Sequence, residues 1–346
     1  MNTKAFGTEA ANAPLKQMNI ERREVTAKDI EIEILYCGVC HSDLHIMEYP
    51  DGLLPYALPF TLGHENAGWV ERVGPGVSGW AAGDPVVVYS VWGCGRCAAC
   101  RVGAENYCEN APLFFGGGLG HDGGMASHMI VPAARFLCPL EGLDPRQAAP
   151  LTDAGLTTYH AVKRSLSLLR PGSTAVVIGA GGLGQMAIQI LKAMSPARVV
   201  AVDLAAEKLA AATSFGADAT VASDDRAAEH VRELTRGAGA ELVLDIVGSD
   251  ATLQLAVSVV RRLGHLTLVG IAGGSLPFSY LGVPTEVAVA STFYGTIPEL
   301  TEVVTLAQAG QIKAHVELFP LAQAPHVYQR LQQGQIQGRA VVTPNG

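Results

Sequence analysis

Thr174-Ala-Val-Val-Ile178-Gly179-Ala-Gly181-Gly182-Leu183-Gly184 is the stretch that decides the fold. Its first five residues carry no charge and are mostly β-branched, as in a strand buried on both faces. Glycines then interrupt the run, and from Leu183 to Met194 the apolar residues recur at helical spacing. In a strand–turn–helix each glycine has a task. Gly179 makes the tight turn, Gly181 lets the backbone approach a pyrophosphate, and Gly184 lets helix and strand pack closely. Gly182 and Leu183 open the helix, whose first N–H groups and positive dipole end favour phosphate. Asp203 ends the following strand. Its carboxylate is placed to accept from a ribose 2′-hydroxyl and would repel a 2′-phosphate. Leu204, Ala205 and Ala206 come next, with no arginine to welcome that phosphate. The pattern therefore predicts NAD in preference to NADP.

Around this stretch strands and helices alternate. Strands are expected at Arg198–Val202, Ala219–Ala222, Glu241–Ile246 and His265–Gly270. Helices are expected over Glu207–Phe215, Arg226–Thr235, Ala251–Arg262 and, upstream, Ala148–Arg164. Such alternation marks an α/β doubly wound parallel sheet. The first 90 or so residues differ. Ile30-Glu-Ile-Glu-Ile-Leu35 alternates apolar and polar residues, and Ala67–Val73 and Asp84–Tyr89 read as further strands among Gly and Pro turns. That half predicts a compact, β-rich, barrel-like domain. After Thr296 come a helix, Pro298–Ala309, and a mixed tail ending in Arg339-Ala-Val-Val342.

Composition sets limits. A chain of 346 residues is long for one core and suggests two domains. Charged residues make up 16%, low against about 25% in an average protein, which argues for extensive burial. The formal net charge of −8 argues against nucleic acid or an anionic membrane surface as a partner. The first residues lack an apolar signal-peptide core. Two uncharged runs, 171–191 and 263–285, are cut by glycines and prolines and read as buried strands with turns rather than membrane spans. Seven cysteines, an odd number with four clustered, fit a reducing cytoplasm better than a disulfide framework.

The cluster is Cys94, Cys97, Cys100 and Cys108, at spacings of three, three and eight. Four thiolates on one loop suit a tetrahedral zinc ion. A site closed by four protein ligands has no position for substrate and is expected to be structural. Chemistry needs an open site with about three protein ligands. Cys40 (in Cys37-Gly-Val-Cys40-His41-Ser42-Asp43-Leu44-His45) and His64 (in Gly63-His64-Glu65) are two candidates, and Asp153 is the best offer of a carboxylate. On the residues alone, His64 reads equally well as a hydrogen-bonded core histidine and Asp153 as a helix cap.

Cys40-His-Ser-Asp43, Gly63-His-Glu65, the four-cysteine loop, the glycine fingerprint and Asp203 follow one another over nearly the whole chain. In that order they resemble the zinc-dependent medium-chain alcohol dehydrogenases. Trp92-Gly-Cys94, Pro150–Thr157 and Gly338-Arg339 are similar to the bacterial NAD-dependent secondary-alcohol branch. The resemblance implies a GroES-like β-rich catalytic domain (residues 1–151 and 297–346, with the structural-zinc lobe near 93–110) and a Rossmann NAD-binding domain (152–296). It implies two zinc ions per subunit, the catalytic one held by Cys40, His64 and Asp153, where the liver-type branch has cysteine in the third position. Glu65 is placed behind that zinc, Asp43 behind His64, and Ser42 and His45 on the proton path. His41 and Arg339 correspond to pyrophosphate contacts, and Thr157, Val269 and Ile271 to nicotinamide contacts. Trp92, Leu119, Phe293 and Tyr294, with Ile271, are expected to give an apolar substrate pocket.

The implied reaction is hydride transfer between NAD(H) and secondary, also primary, alcohols and their ketones or aldehydes. The implied assembly is a homodimer or homotetramer acting on a small molecule in the cytoplasm. Lys4–Gly7 and Ile32–His45 also resemble cinnamyl-alcohol-type aldehyde reductases that use NADP. Asp203 and Asp153 oppose that alternative.

Overall fold

A computed structural model describes residues 2–10, 12–21, 23–48, 58–112 and 115–345. The chain divides into two compact units. One comprises residues 1–153, 296–308 and 314–346, the other 154–295 and 309–313.

The first unit is built on a seven-stranded sheet. Its path runs Leu137–Pro139, Pro85–Val88, Glu65–Val73, Ile30–Gly38, Arg339–Thr343 and Val316–Pro320, with His128–Val131 also on Ile30–Gly38. The alternation seen at Ile30–Leu35 faces Ile30, Ile32 and Ile34 inward, where they are fully buried. The carboxylate of Glu31 also lies inside and accepts from the Arg72 Nε. The C-terminal strand pairs antiparallel with Ile30–Gly38 through Val341–Gly38 and Val342–Cys37. A strand laid down 300 residues later thus runs beside the turn that presents Cys40. A smaller sheet joins Asn2–Thr8 to Lys16–Glu21 and Phe60–Thr61.

The second unit holds six parallel strands. Their order is Ala219–Ala222, Arg198–Asp203, Thr174–Ile178, Ala240–Asp245, Val260–Leu268 and Ala288–Ser291. Numbered along the chain this is 3-2-1-4-5-6, the dinucleotide-binding arrangement. Thr174–Ile178 lies centrally and is buried along its length, as its apolar run requires. Residues 309–313 join this unit because Gln189 bonds both the carbonyl and the N–H of Lys313.

Two expectations are corrected. Residues 148–164 do not form one helix. The helix Pro145–Ala148 tightens into a 3₁₀ turn, Ala149–Thr152, and a new helix runs Ala154–Lys163. Pro150 has no N–H to continue the ladder, and Asp153 sits between the helices at φ −126°. The run 263–285 is not buried throughout. After Leu268 no strand forms until Ala288, and Phe278, Tyr280 and Leu281 are exposed. Glycines and prolines at 270, 273, 274, 277, 282 and 284 deny that segment a ladder. Among the described residues no helix is long and apolar enough to cross a membrane.

Candidate active site

Cys40, His64 and Asp153 arrive from three places. Cys40 follows the strand Ile30–Gly38 and precedes the helix His41–Glu48. His64 immediately precedes the strand Glu65–Val73, after Gly63 at φ +96°. A Cβ at Gly63 would lie 2.4 Å from the Cys37 sulfur, so this turn tolerates no side chain. Asp153 occupies the break between the two helices. All three are buried, and their donor atoms lie within 4.8 Å of one another. Cys40 Sγ is 3.3 Å from Asp153 Oδ2, and His64 Nε2 is 3.5 Å from the same oxygen.

This donor set fits zinc. A tetrahedral ion would separate the sulfur–oxygen pair by about 3.6 Å and the nitrogen–oxygen pair by about 3.4 Å, given its usual bond lengths. One sulfur, one imidazole nitrogen and one carboxylate oxygen, buried together, are also the mixed donor set that zinc accepts. Behind the ligands, His64 Nδ1 stands 3.1 Å from Asp43 Oδ1, leaving Nε2 for the metal. Asp43 is fully buried. Its Oδ2 accepts from the Cys40 N–H at 3.2 Å and from the Tyr328 hydroxyl at 2.7 Å.

Glu65 is fully buried, and its Oε1 meets Arg339 Nη2 in an ion pair. Its other oxygen has no partner among the described residues. Burial pushes its carboxyl up to about 7, although Arg339 opposes the shift. Arg339 is itself buried, with Nη2 also 4.0 Å from Asp153 Oδ2. Ser42 Oγ lies 3.7 Å from Cys40 Sγ. One helical turn further, burial holds the His45 imidazole below its ordinary pKa, partly offset by Glu48. His45 Nδ1 is buried without a partner among the described residues. His41, beside Cys40, is exposed.

The four-cysteine lobe has matching geometry. Sulfur separations are 3.4 Å for Cys97–Cys100, 4.0 Å for Cys94–Cys100 and 4.0 Å for Cys97–Cys108. Thiolates around one zinc should stand about 3.8 Å apart, whereas a disulfide would bring two to about 2.05 Å. Donors aim at the sulfurs. Asn110 Nδ2 reaches Cys94, and the N–H groups of Cys94 and Asn110 reach Cys108. The Asn110 hydrogen bond leads the set that draws the Cys94 thiol down to about 6. Glu105, within this loop, is buried and accepts from Arg135 Nε at 2.9 Å.

In the second unit, Gly181 caps the helix Gly182–Met194, and a Cβ there would meet no atom within 4 Å. That open space is what a bound pyrophosphate requires. A Cβ at Gly184 would come 2.0 Å from the Gly179 carbonyl oxygen, so its closeness to the turn depends on glycine. Asp203 Oδ2 accepts from the Ala180 N–H at 2.7 Å and Oδ1 from the Ala205 N–H at 3.0 Å. This fastens its carboxylate beside the glycine loop. Thr157 is buried in the helix Ala154–Lys163. The Val269 N–H bonds the Asp245 carbonyl, and Ile271 is half exposed.

Of the expected pocket residues, Trp92 and Leu119 are buried in the first unit, with the Trp92 ring 5.4 Å from His121. Phe293 and Tyr294, in the second unit, form an edge-to-face pair at 5.7 Å. Sequence reasoning missed Tyr328 and the Glu105–Arg135 pair, and it assigned Arg339 to phosphate without its link to Glu65. No local signal marks Tyr328, which stands 285 residues from Asp43.

Residues 26–142 match the alcohol dehydrogenase GroES-like domain, and residues 182–309 the zinc-binding dehydrogenase family. The chain is 37% identical to an NAD-dependent alcohol dehydrogenase of Sulfurisphaera tokodaii over 96% of this chain and 97% of that one. It is 36% identical to an alcohol dehydrogenase of Geobacillus stearothermophilus over 98% and 99%. It superposes on the crystal structure of the alcohol dehydrogenase from Aeropyrum pernix with a TM-score of 0.91, at 38% identity, covering 99% of this chain and 100% of that one. With two family domains in order, and relatives matched end to end, the chain belongs to the zinc-dependent medium-chain alcohol dehydrogenases.

Proposed function

We propose that the protein interconverts secondary, and also primary, alcohols with their ketones or aldehydes, using NAD(H). The observation that carries this reading is the convergence of Cys40, His64 and Asp153 on one buried point, with Asp43 holding the rear nitrogen of His64. Zinc held there would supply Lewis acidity toward the substrate oxygen, and NAD held along Gly179, Gly181, Gly182, Leu183 and Gly184 would accept or donate the hydride.

The chain's own groups handle the proton and the placement. Ser42, beside Cys40, takes the hydroxyl proton of the alcohol during oxidation and returns it during reduction. His45, one turn along the same helix and kept neutral by burial, receives that proton and passes it toward water. Asp203 selects NAD by bonding the ribose hydroxyls and repelling a 2′-phosphate. His41 and Arg339 serve the pyrophosphate, and Thr157, Val269 and Ile271 the nicotinamide. Trp92 and Leu119, buried in the first unit, would give the substrate an apolar surround, which favours medium-chain or aryl substrates over sugars. Cys94, Cys97, Cys100 and Cys108 hold a second, structural zinc. The protein works in the cytoplasm as a homodimer or homotetramer.

The test is reduction of a small aryl methyl ketone by NADH, followed optically, before and after chelation and again after zinc is restored. Turnover lost on chelation and regained with zinc is expected. Full activity in protein shown by elemental analysis to be zinc-free would overturn the reading.

A further inference from the structure

We propose that Tyr328, near the C-terminus, is a positioning residue for the catalytic zinc: its hydroxyl clamps the Asp43 carboxylate, and Asp43 fixes the ring of His64. This rests on the reading of Cys40, His64 and Asp153 as a zinc site.

Among the described residues Asp43 receives three hydrogen bonds. His64 Nδ1 reaches Oδ1 at 3.1 Å, and the Cys40 N–H reaches Oδ2 at 3.2 Å. The Tyr328 hydroxyl reaches Oδ2 at 2.7 Å and is the shortest of the three. It is also the one donor of the three that is neither a metal ligand nor a neighbour in sequence. Asp43 is fully buried and Tyr328 is 3% exposed, so water cannot replace a lost donor cheaply. The hydroxyl has one proton and a second contact, the Met125 sulfur at 3.5 Å. Thioether sulfur is a weak acceptor, so the proton goes to the carboxylate. Without that bond one oxygen of a buried carboxylate keeps only a 3.2 Å backbone partner and gains freedom to rotate. A histidine that ligates metal is oriented by the partner of its other nitrogen, so the freedom passes to His64. The helix Ala324–Gln332 thereby touches the metal site through two consecutive hydrogen bonds.

The experiment is the rate at which each zinc leaves the protein for a chromogenic chelator, measured for wild type, Y328F, D43N and the double variant. C40S identifies which kinetic phase is the catalytic zinc. In Y328F the catalytic phase should quicken about 10- to 100-fold, as for other partners behind metal ligands. The lobe phase should be unchanged. In the D43N background Y328F should add nothing, because the tyrosine acts through Asp43. A catalytic phase within about twofold of wild type overturns the proposal, as does equal acceleration of both phases or an undiminished effect in the D43N background. Should Y328F fail to fold, Y328M, whose flexible side chain also lacks the hydroxyl, carries the same comparison. If C40S retains two zinc ions per subunit, the fault lies in the zinc reading itself, and that outcome is distinct from a failure of Tyr328.

Discussion

Arg339 and Glu65 form a buried ion pair that ties the last strand of the chain to the strand beginning just after His64. Glu65 is fully buried and Arg339 is 5% exposed. Without Arg339 the Glu65 carboxyl loses the main influence holding it down, and burial already raises it to about 7. It then protonates, and the cost is that of a buried polar group left without its partner, about 1–3 kcal/mol. R339M should therefore destabilise the cofactor-free, zinc-loaded protein by about that amount in urea unfolding. A penalty below about 1 kcal/mol would mean that Glu65 does not depend on Arg339 for its place.

Asp203 holds its carboxylate against the glycine loop through the Ala180 N–H. D203A should lower the kcat/KM ratio of NAD over NADP by about 10- to 100-fold, the equivalent of about 1.5–3 kcal/mol for bonds to a charged acceptor. Steady-state kinetics with both cofactors decides this. An unchanged ratio would remove Asp203 from cofactor selection.

The sulfurs of the lobe stand at zinc spacing, away from Cys40, His64 and Asp153 in the sequence. C97S should bring zinc content down from two ions to one per subunit and lower the melting temperature by several degrees, while turnover per folded site changes by less than about threefold. Lost turnover with an unchanged melting temperature would contradict the division of labour between the two metals.

Asp29 carries an acid-side prediction. Its carboxylate accepts from Arg23, from the Thr26 hydroxyl and from the Thr26 N–H. Led by Arg23, and against the effect of burial, these bonds lower its pKa to about 2. The folded value lies below the unfolded value of about 3.9, so this contribution to stability is complete above pH 4 or so and is lost as pH falls toward 2. D29N should be less stable than wild type by a constant margin from pH 5 to 8, and the margin should narrow below pH 4. Denaturant midpoints across that range provide the measurement. A margin independent of pH down to 3 would refute the assignment.

The parallel-sheet unit was readable because its signals are local. Thr174–Ile178 is apolar throughout since both faces are covered, and Gly184 follows because a side chain would strike the Gly179 carbonyl. The zinc ligands could be nominated, since Cys40, His64 and Asp153 sit in short distinctive contexts, but only the folded chain brings them within 4.8 Å. Periodicity carried the helix straight through Asp153. The break came from Pro150 and a 3₁₀ turn, and it leaves the carboxylate outside either helix. Exposure of 278–281 was also missed, because hydropathy alone cannot tell a buried run from an unpaired one. Tyr328 and the Arg339–Glu65 pair lay beyond reach, since each contact spans more than 270 residues and depends on the tail joining the first sheet.

The sulfur spacing in the lobe has a consequence for handling the protein in air. Cys97 and Cys100 stand 3.4 Å apart and are free thiols. They need to close by only about 1.4 Å to reach disulfide distance. While zinc holds them as ligands that path is shut. In the zinc-free lobe an oxidant is expected to join them, which would remove two of the four ligands. Zinc stripped from the lobe is therefore expected to return readily when a reductant is present and poorly after exposure to air, so the metal guards its own ligands against oxidation.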